Sequence, residues 1–215
     1  MNARRMLIVQ IVVILIVLIA GFVGYYYYNQ STTYLKTDDA QVTGQQIVIA
    51  APATGKLTNW DGTVGTQFNA GDTIGTVQVP SAKGSTSVNV PDPQSSTIVQ
   101  NMAVNNEFVA AGTPLAYAYD MNNLWVTANI KETQINDVKV GQTVDVYIDA
   151  YPGTTYSGVV KQIGLATAST FSLLPTASTD ANYTKVTQVI PVQIQIQSGT
   201  GRLAPGMNAT VRIHK

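Results

Sequence analysis

Two hydrophobic rhythms divide this chain. From Met6 to Gly24 every position is apolar except Gln10, a continuous run that predicts a long helix with no polar face. Beyond it the apolar residues alternate. Val144, Val146 and Ile148 interleave with Thr143, Asp145 and Tyr147; Val192, Ile194 and Ile196 with Gln193, Gln195 and Gln197; and Met207, Ala209, Val211 and Ile213 with Asn208, Thr210 and Arg212. A period of two gives one buried and one wet face, so these stretches predict antiparallel strands closing around their apolar sides, most economically as a small barrel. Trp125, Val126 and Ile130 read as a further strand, with Lys131 to Val138 as a short helical or turn segment after it.

Between the helix and those strands lies a pattern that occurs twice. The first copy reads Ala51-Pro52-Ala53-Thr54-Gly55, then Gly65-Thr66-Gln67-Phe68, then Ala70-Gly71-Asp72-Thr73-Ile74, closing on Val77 and Val79. The second reads Val90-Pro91-Asp92-Pro93, then Asn106-Glu107-Phe108-Val109, then Ala111-Gly112-Thr113-Pro114-Leu115, closing on Tyr117 and Tyr119. No window from Thr43 to Tyr119 holds a helical period, and Gly, Pro and Asn punctuate it at strand spacing. One copy is too short to bury an apolar face, so the two are expected to pack as one β unit.

The apolar run is long enough to matter for location. Roughly 20 residues at about 1.5 Å each span a hydrocarbon core of about 30 Å. Met6, Leu7, Ile8, Val9, Ile11, Leu15, Leu18 and Phe22 would face lipid, with Tyr25 and Tyr26 in the aromatic cluster at the outer edge. Arg4 and Arg5 precede the run and no charge follows until Lys36, which predicts a cytoplasmic N-terminus and an extracytoplasmic remainder. A cleaved signal peptide, the rival reading, would have a shorter apolar core and a small-residue cleavage site.

Composition narrows the chemistry. The 215 residues are 45% hydrophobic and 11% charged, with 12 basic and 12 acidic side chains. Globular domains carry roughly 25% charged residues, so Thr, Ser, Asn and Gln must supply the polar surface here. Without a basic patch beyond Arg4-Arg5, the sequence does not point to nucleic acid as a partner. There is no Cys and therefore no thiolate site. The one imidazole, His214, is next to the last residue, where it reads as a terminal polar group without a second metal ligand. Asp38-Asp39 lacks companions and reads as a solvated turn pair. Zincin, phosphate-loop and nucleophile-elbow motifs are absent from the sequence, so neither catalytic nor metal-binding residues are assigned and the expectation is a protein that is not an enzyme. Trp60 and Trp125 read as packing residues. The segment 167–182 embeds Phe171, Leu173 and Leu174 among Ser, Thr and Ala, a cluster that can dock a partner or tuck beneath the barrel.

The duplicated half-motifs resemble the two halves of a lipoyl/biotinyl-type domain, a flattened sandwich. In that family the modified lysine lies at the turn between the halves, and Lys83 stands there, with Pro91 following at the family's spacing. Its surroundings, Ser81-Ala82-Lys83-Gly84, differ from the Ala-Met-Lys-Met and Asp-Lys-Ala of biotin and lipoyl carriers. Lys83 is thus the cofactor-attachment residue only under a carrier reading, and an ordinary surface lysine otherwise; no cofactor is expected.

A second resemblance covers nearly the whole chain. Thr37-Asp38-Asp39-Ala40-Gln41-Val42, and Leu124-Trp125-Val126 followed by Asn129-Ile130-Lys131-Glu132-Thr133-Gln134, are similar to segments of membrane-fusion proteins of the HlyD/EmrA type, the adaptor subunits of drug efflux systems. Ser169 to Pro175, followed by Asn182 to Val186, Ile190-Pro191-Val192 and Leu203-Ala204-Pro205-Gly206-Met207, resembles the EmrA-like branch in particular. The resemblance implies a mainly β fold: a transmembrane anchor over 1–28, a tether over 29–36, a first barrel segment over 37–50, a lipoyl-like sandwich over 51–121 and the barrel proper over 122–215. It also implies an integral membrane transporter of the major-facilitator type as partner, with homo-oligomers possible. In those adaptors a long α-helical hairpin separates the lipoyl halves; here only the turn 80–87 is available, too short for a heptad-bearing arm. An anchored module binding a wall or extracellular ligand is the other reading the residues allow.

Overall fold

The computed structural model describes residues 3–82, 84–171, 187–198 and 202–215, with side chains described at all of these except 3–10, 27–32, 171 and 198. Two compact units emerge, one of 1–40, 128–199 and 209–215, the other of 41–127 and 200–208.

The first unit opens with helix α1, Ala3–Thr33. It runs straight into strand β1, Tyr34–Thr43, so the polar stretch 29–36 is divided between helix end and strand start. Successive side chains Ile11, Val12, Val13 and Ile14 are all exposed, and four consecutive residues cover a full helical turn. Among the described residues no helix is long and apolar enough to cross a membrane.

The second unit holds the duplicated pattern. Its strands are β2 Gln46–Ala50, β3 Gly55–Thr58, β4 Gln67–Phe68, β5 Thr73–Ser81, β6 Gly84–Pro91, β7 Ser96–Asn101, β8 Phe108–Val109 and β9 Pro114–Tyr119. They form two sheets, ordered β2-β9-β7-β4 and β6-β5-β3-β8. Each sheet takes strands from both copies. Neither half can close an apolar face alone, and the shared core of Ile47, Ile49, Leu57, Ile74, Val77, Val90, Ile98 and Leu115 draws on both. Burying one such side chain stabilises by about 1.5–3 kcal/mol.

The copies are related by a constant offset of 41 residues, the separation of Trp60 from Asn101. Equivalent backbone bonds repeat across it: Gly65 N–H donates to Ile98 O at 2.8 Å and Asn106 N–H to Leu57 O at 2.8 Å. The side-chain turns repeat as well. Ala70 N–H donates to Ser95 Oγ at 3.0 Å, and Ala111 N–H donates to Thr54 Oγ1 at 3.0 Å.

The remaining strands are β10 Trp125–Lys131, β11 Thr143–Ile148, β12 Thr155–Ile163, β13 Val189–Ser198 and β14 Asn208–His214. With β1 they make a closed barrel in the order β1-β10-β13-β12-β11-β14, and closure leaves no unpaired edge. Alternation along β10, β11 and β14 places Val126, Ala128, Ile130, Val144, Val146, Ile148, Val211 and Ile213 in its interior. Between β10 and β11 the segment Glu132–Asp137 is a short 3-10 helix. Of the 37–50 stretch, the barrel receives β1, while β2 lies in a sandwich sheet.

Candidate interaction site

A cluster of polar side chains lies on the wet face of the barrel, on strands β1, β11 and β14. Register pairs Asp145 of β11 with Arg212 of β14, and period-two geometry puts His214 on the same face as Arg212. The Arg212 guanidinium donates to Asp145 Oδ2 from Nε at 3.2 Å and Nη2 at 2.9 Å. His214 Nε2 lies 3.0 Å from the same oxygen, a bond that requires the proton on Nε2. Tyr34, the first residue of β1, closes the group. Its ring meets that of His214 edge-on at a centroid distance of 4.9 Å and carries the Arg212 guanidinium 4.6 Å from its centre, within cation–π range.

Electrostatics follow from that geometry. Partial burial works against ionisation of Asp145, but the hydrogen bonds and charges of Arg212 and His214 outweigh it and hold the carboxyl below its ordinary range. Arg212 is correspondingly raised, first by its bond to Asp145. Lys215 then ties the chain end down: its N–H donates to Thr33 O at 3.0 Å, and its Nζ lies 2.8 Å from Asp137 Oδ2. His214 is therefore an ordered strand residue with a carboxylate partner, in contrast to the terminal polar group expected. The signal was present in the alternation that puts Arg212 and His214 on one wet face opposite Asp145. Among the described residues no three His, Cys, Asp or Glu side chains could hold a metal. Its chemistry is cross-linking: it joins β1, β11 and β14 at the foot of α1.

The other sequence-singled residues are scattered. Asp39 accepts a bond from Asn129 Nδ2 at 3.1 Å, and Thr37 Oγ1 donates to Asn129 O at 3.0 Å, so this pair belongs to β1 pairing. Trp60 is buried, its Nε1–H donating to Asn101 Oδ1 at 3.0 Å, and Trp125 is half-buried. Lys83 lies outside the described residues, as do Leu173 and Leu174. Phe171 ends the short 3-10 helix Ala168–Phe171, and its side chain is not described. Met6, Leu7, Ile8 and Val9 lie on α1 without described side chains; Ile11, Leu15, Leu18, Phe22, Tyr25 and Tyr26 are exposed on it.

Strands β5 and β6 form a single hairpin, pairing from Thr73 with Pro91 out to Ser81 with Gly84. The paired strands thus leave two residues between Ser81 and Gly84 where the two sandwich halves meet.

Comparison with known proteins agrees with this division. Residues 45–120 match the barrel-sandwich hybrid domain of YhbJ, and residues 124–213 match the YknX-like β-barrel domain. The chain is 46% identical over 213 residues to the "Putative efflux system component YhbJ" of Bacillus subtilis (strain 168), covering 99% of this chain and 94% of that protein. It is 39% identical over 89 residues to the multidrug export protein EmrA of Escherichia coli (strain K12), a match covering 41% of this chain but 23% of EmrA. A solved structure of the periplasmic adaptor protein EmrA shares the fold at a TM-score of 0.56 and 12% identity, over 85% of this chain and 99% of that one. The chain belongs to the membrane fusion protein family, in its EmrA-like branch.

Proposed function

We propose that the protein is a single-pass, membrane-anchored adaptor that assists an integral transporter of the major-facilitator type in exporting drugs or other amphipathic compounds. The observation that carries this reading is the near full-length match to an efflux system component. In it α1 is the anchor, with Arg4 and Arg5 on the cytoplasmic side and both β units outside. The exposure of Ile11 through Ile14 around a full turn supports a lipid-facing helix. The residue-level anchor is the set Met6 to Val9, Ile11, Leu15, Leu18, Phe22, Tyr25 and Tyr26.

Work is done by association and not by catalysis: the transporter holds the substrate route and the energy coupling. The cluster of Tyr34, Asp145, Arg212 and His214 fixes the barrel against the end of the anchor, so that barrel orientation follows from anchor insertion. Phe171, Leu173 and Leu174 dock the transporter, or a second copy in a homo-oligomer. The short β5–β6 hairpin favours an adaptor that acts at one membrane, without an arm reaching to an outer duct. Deleting the gene in its own cell, with no related adaptor present, should raise intracellular accumulation of an exported dye, and the full chain should restore export. Unchanged accumulation in the deletion strain counts against the reading.

A further inference from the structure

The duplication supplies an internal control for the surface of the second unit. Two of the clefts on it take part of their lining from equivalent positions. The first, of about 380 Å³, is lined by Thr58, Asn59, Gln78, Asn105 and Asn106. The second, of about 360 Å³, is lined by Val99 and Tyr119, the equivalents of Thr58 and Gln78, together with Gln41, Thr43, Met121 and Pro205 among others. All of these residues belong to the second unit. The shared fold thus requires neither lining, since each half folds with a different one.

Backbone geometry breaks the symmetry at the same place. In the first half Leu57 pairs with Val77 and Thr58 with Thr76 in regular register, and the two threonine hydroxyls lie 3.0 Å apart. In the second half Ile98 pairs with Ala118 but Gln100 with Tyr117, so Val99 is an extra residue in a β-bulge. A bulge re-aims a side chain and disrupts the local ladder, so it persists where something compensates. The aromatic wall is accommodated in its turn by Gly44. A Cβ there would stand 3.1 Å from Tyr119 Cδ1 and 2.6 Å from Leu124 Cδ2, closer than side chains tolerate without moving.

The chemistry of the second cleft is that of a receptor for an uncharged amphiphile. Val99, Tyr119 and Met121 offer apolar, aromatic and polarizable surface, and none is fully buried. Gln41 and Thr43 give hydrogen-bonding groups; Gln41 Nε2 already donates to Gly206 O at 3.1 Å. No charged residue is among the lining, so a ligand's charge would have no counter-ion here. A mostly apolar concavity with few polar groups is the general form of a small-molecule site. We propose that this cleft binds a neutral aromatic amphiphile carrying a hydrogen-bonding group. The site deepens the efflux-adaptor reading and rests on it for the ligand's biological source.

The test uses the full chain in its own membrane vesicles and a trifluoromethyl aryl diazirine bearing a benzyl alcohol as probe. After irradiation, peptides are mapped by mass spectrometry. Saturable labelling of peptides carrying Val99 or Tyr119 to Met121, competed by the same alcohol without the diazirine, is the expected result. The double variant Val99→Thr with Tyr119→Gln copies the residues of the other half, which folds with them, and should lose labelling by about tenfold. Labelling confined to α1, or undiminished in the double variant, overturns the proposal. Co-purification with a transporter is measured in parallel. A variant that loses labelling but keeps the transporter supports the cleft. Absent labelling with the transporter still bound removes the cleft and leaves the adaptor reading standing.

Discussion

Ala51 and Asp92 occupy the same place in the two halves of the sandwich. Ala51 N–H donates to Thr113 O at 2.9 Å and its carbonyl accepts from Gly112 N–H at 2.8 Å; Asp92 N–H donates to Asp72 O at 2.8 Å and its carbonyl accepts from Gly71 N–H at 2.8 Å. The backbone therefore needs no carboxylate there, yet Asp92 is 1% exposed and Ser96 Oγ donates to its Oδ2 at 2.7 Å.

Burial raises the Asp92 carboxyl above its ordinary range, against the lowering by Ser96 and the Gln94 amide, and Asp72 adds to the rise. An acid raised on folding is penalised when ionised. Its contribution to stability is least above the raised value and grows as pH falls through it toward the ordinary value of about 3.9. Asp92→Asn keeps the shape, and the Ser96 oxygen can accept from the new amide. Thermal unfolding at neutral pH should begin no lower in the variant than in the parent, with the difference shrinking on acidification. A variant that melts lower at neutral pH, by a gap that widens in acid, would contradict this.

Gly65 and Asn106 are also equivalent, and both have left-handed backbones, φ 91° and 71°. Nothing lies within 4 Å of a Cβ built on Gly65, so Gly65→Ala adds backbone strain without a clash, costing about 1–2 kcal/mol. Asn106→Gly exchanges relief of strain for extra unfolded-state entropy and should change stability by less than about 1 kcal/mol. Denaturant titration followed by tryptophan fluorescence measures both; equal effects would show that the left-handed turns are not what the two positions share.

Much of this architecture was legible because its signals are local. Val144-Asp145-Val146 declares a strand by itself, and the repeat from Gly65-Thr66-Gln67-Phe68 to Asn106-Glu107-Phe108-Val109 announces two equivalent halves. What stayed hidden depends on long-range pairing. Alternation in β3 and β7 cannot tell that β3 pairs with β8 from the other copy, nor that β2 joins the sandwich while β1 joins the barrel. His214 looked terminal because its partner Asp145 is 69 residues away in sequence. The Val99 bulge has no composition of its own: Thr58 and Val99 both suit a strand, and only the register separates them.

Asp145 gives a prediction of opposite sign to that of Asp92. Its carboxyl is held below the ordinary range, so its contribution is fully present above about pH 3.9 and is lost as pH falls through the depressed value. The partners are part-exposed, which limits the ion pairs to about 1 kcal/mol. Asp145→Asn should weaken the barrel by about that amount at neutral pH and by nothing at low pH, read as hydrogen exchange along β11 and β14. Unchanged exchange at neutral pH would mean that the cluster is not a cross-link.

Trp60 separates a hydrogen bond from bulk. Trp60→Phe removes the bond to Asn101 Oδ1, but that oxygen still accepts from Ala103 N–H at 3.1 Å, so the cost is about 1 kcal/mol. Trp60→Ala empties the ring's site and should cost about 3–5 kcal/mol. Chemical denaturation of the two variants distinguishes these terms, and similar losses would contradict the assignment.

The proposed association with a transporter at the membrane can be tested on the intact protein. The most direct measurement is affinity purification of the tagged full chain from its own membranes after mild cross-linking, with quantitative mass spectrometry of what accompanies it. One multi-span transporter should be enriched at a fixed ratio to the chain. A chain recovered from those membranes without any multi-span protein would contradict it.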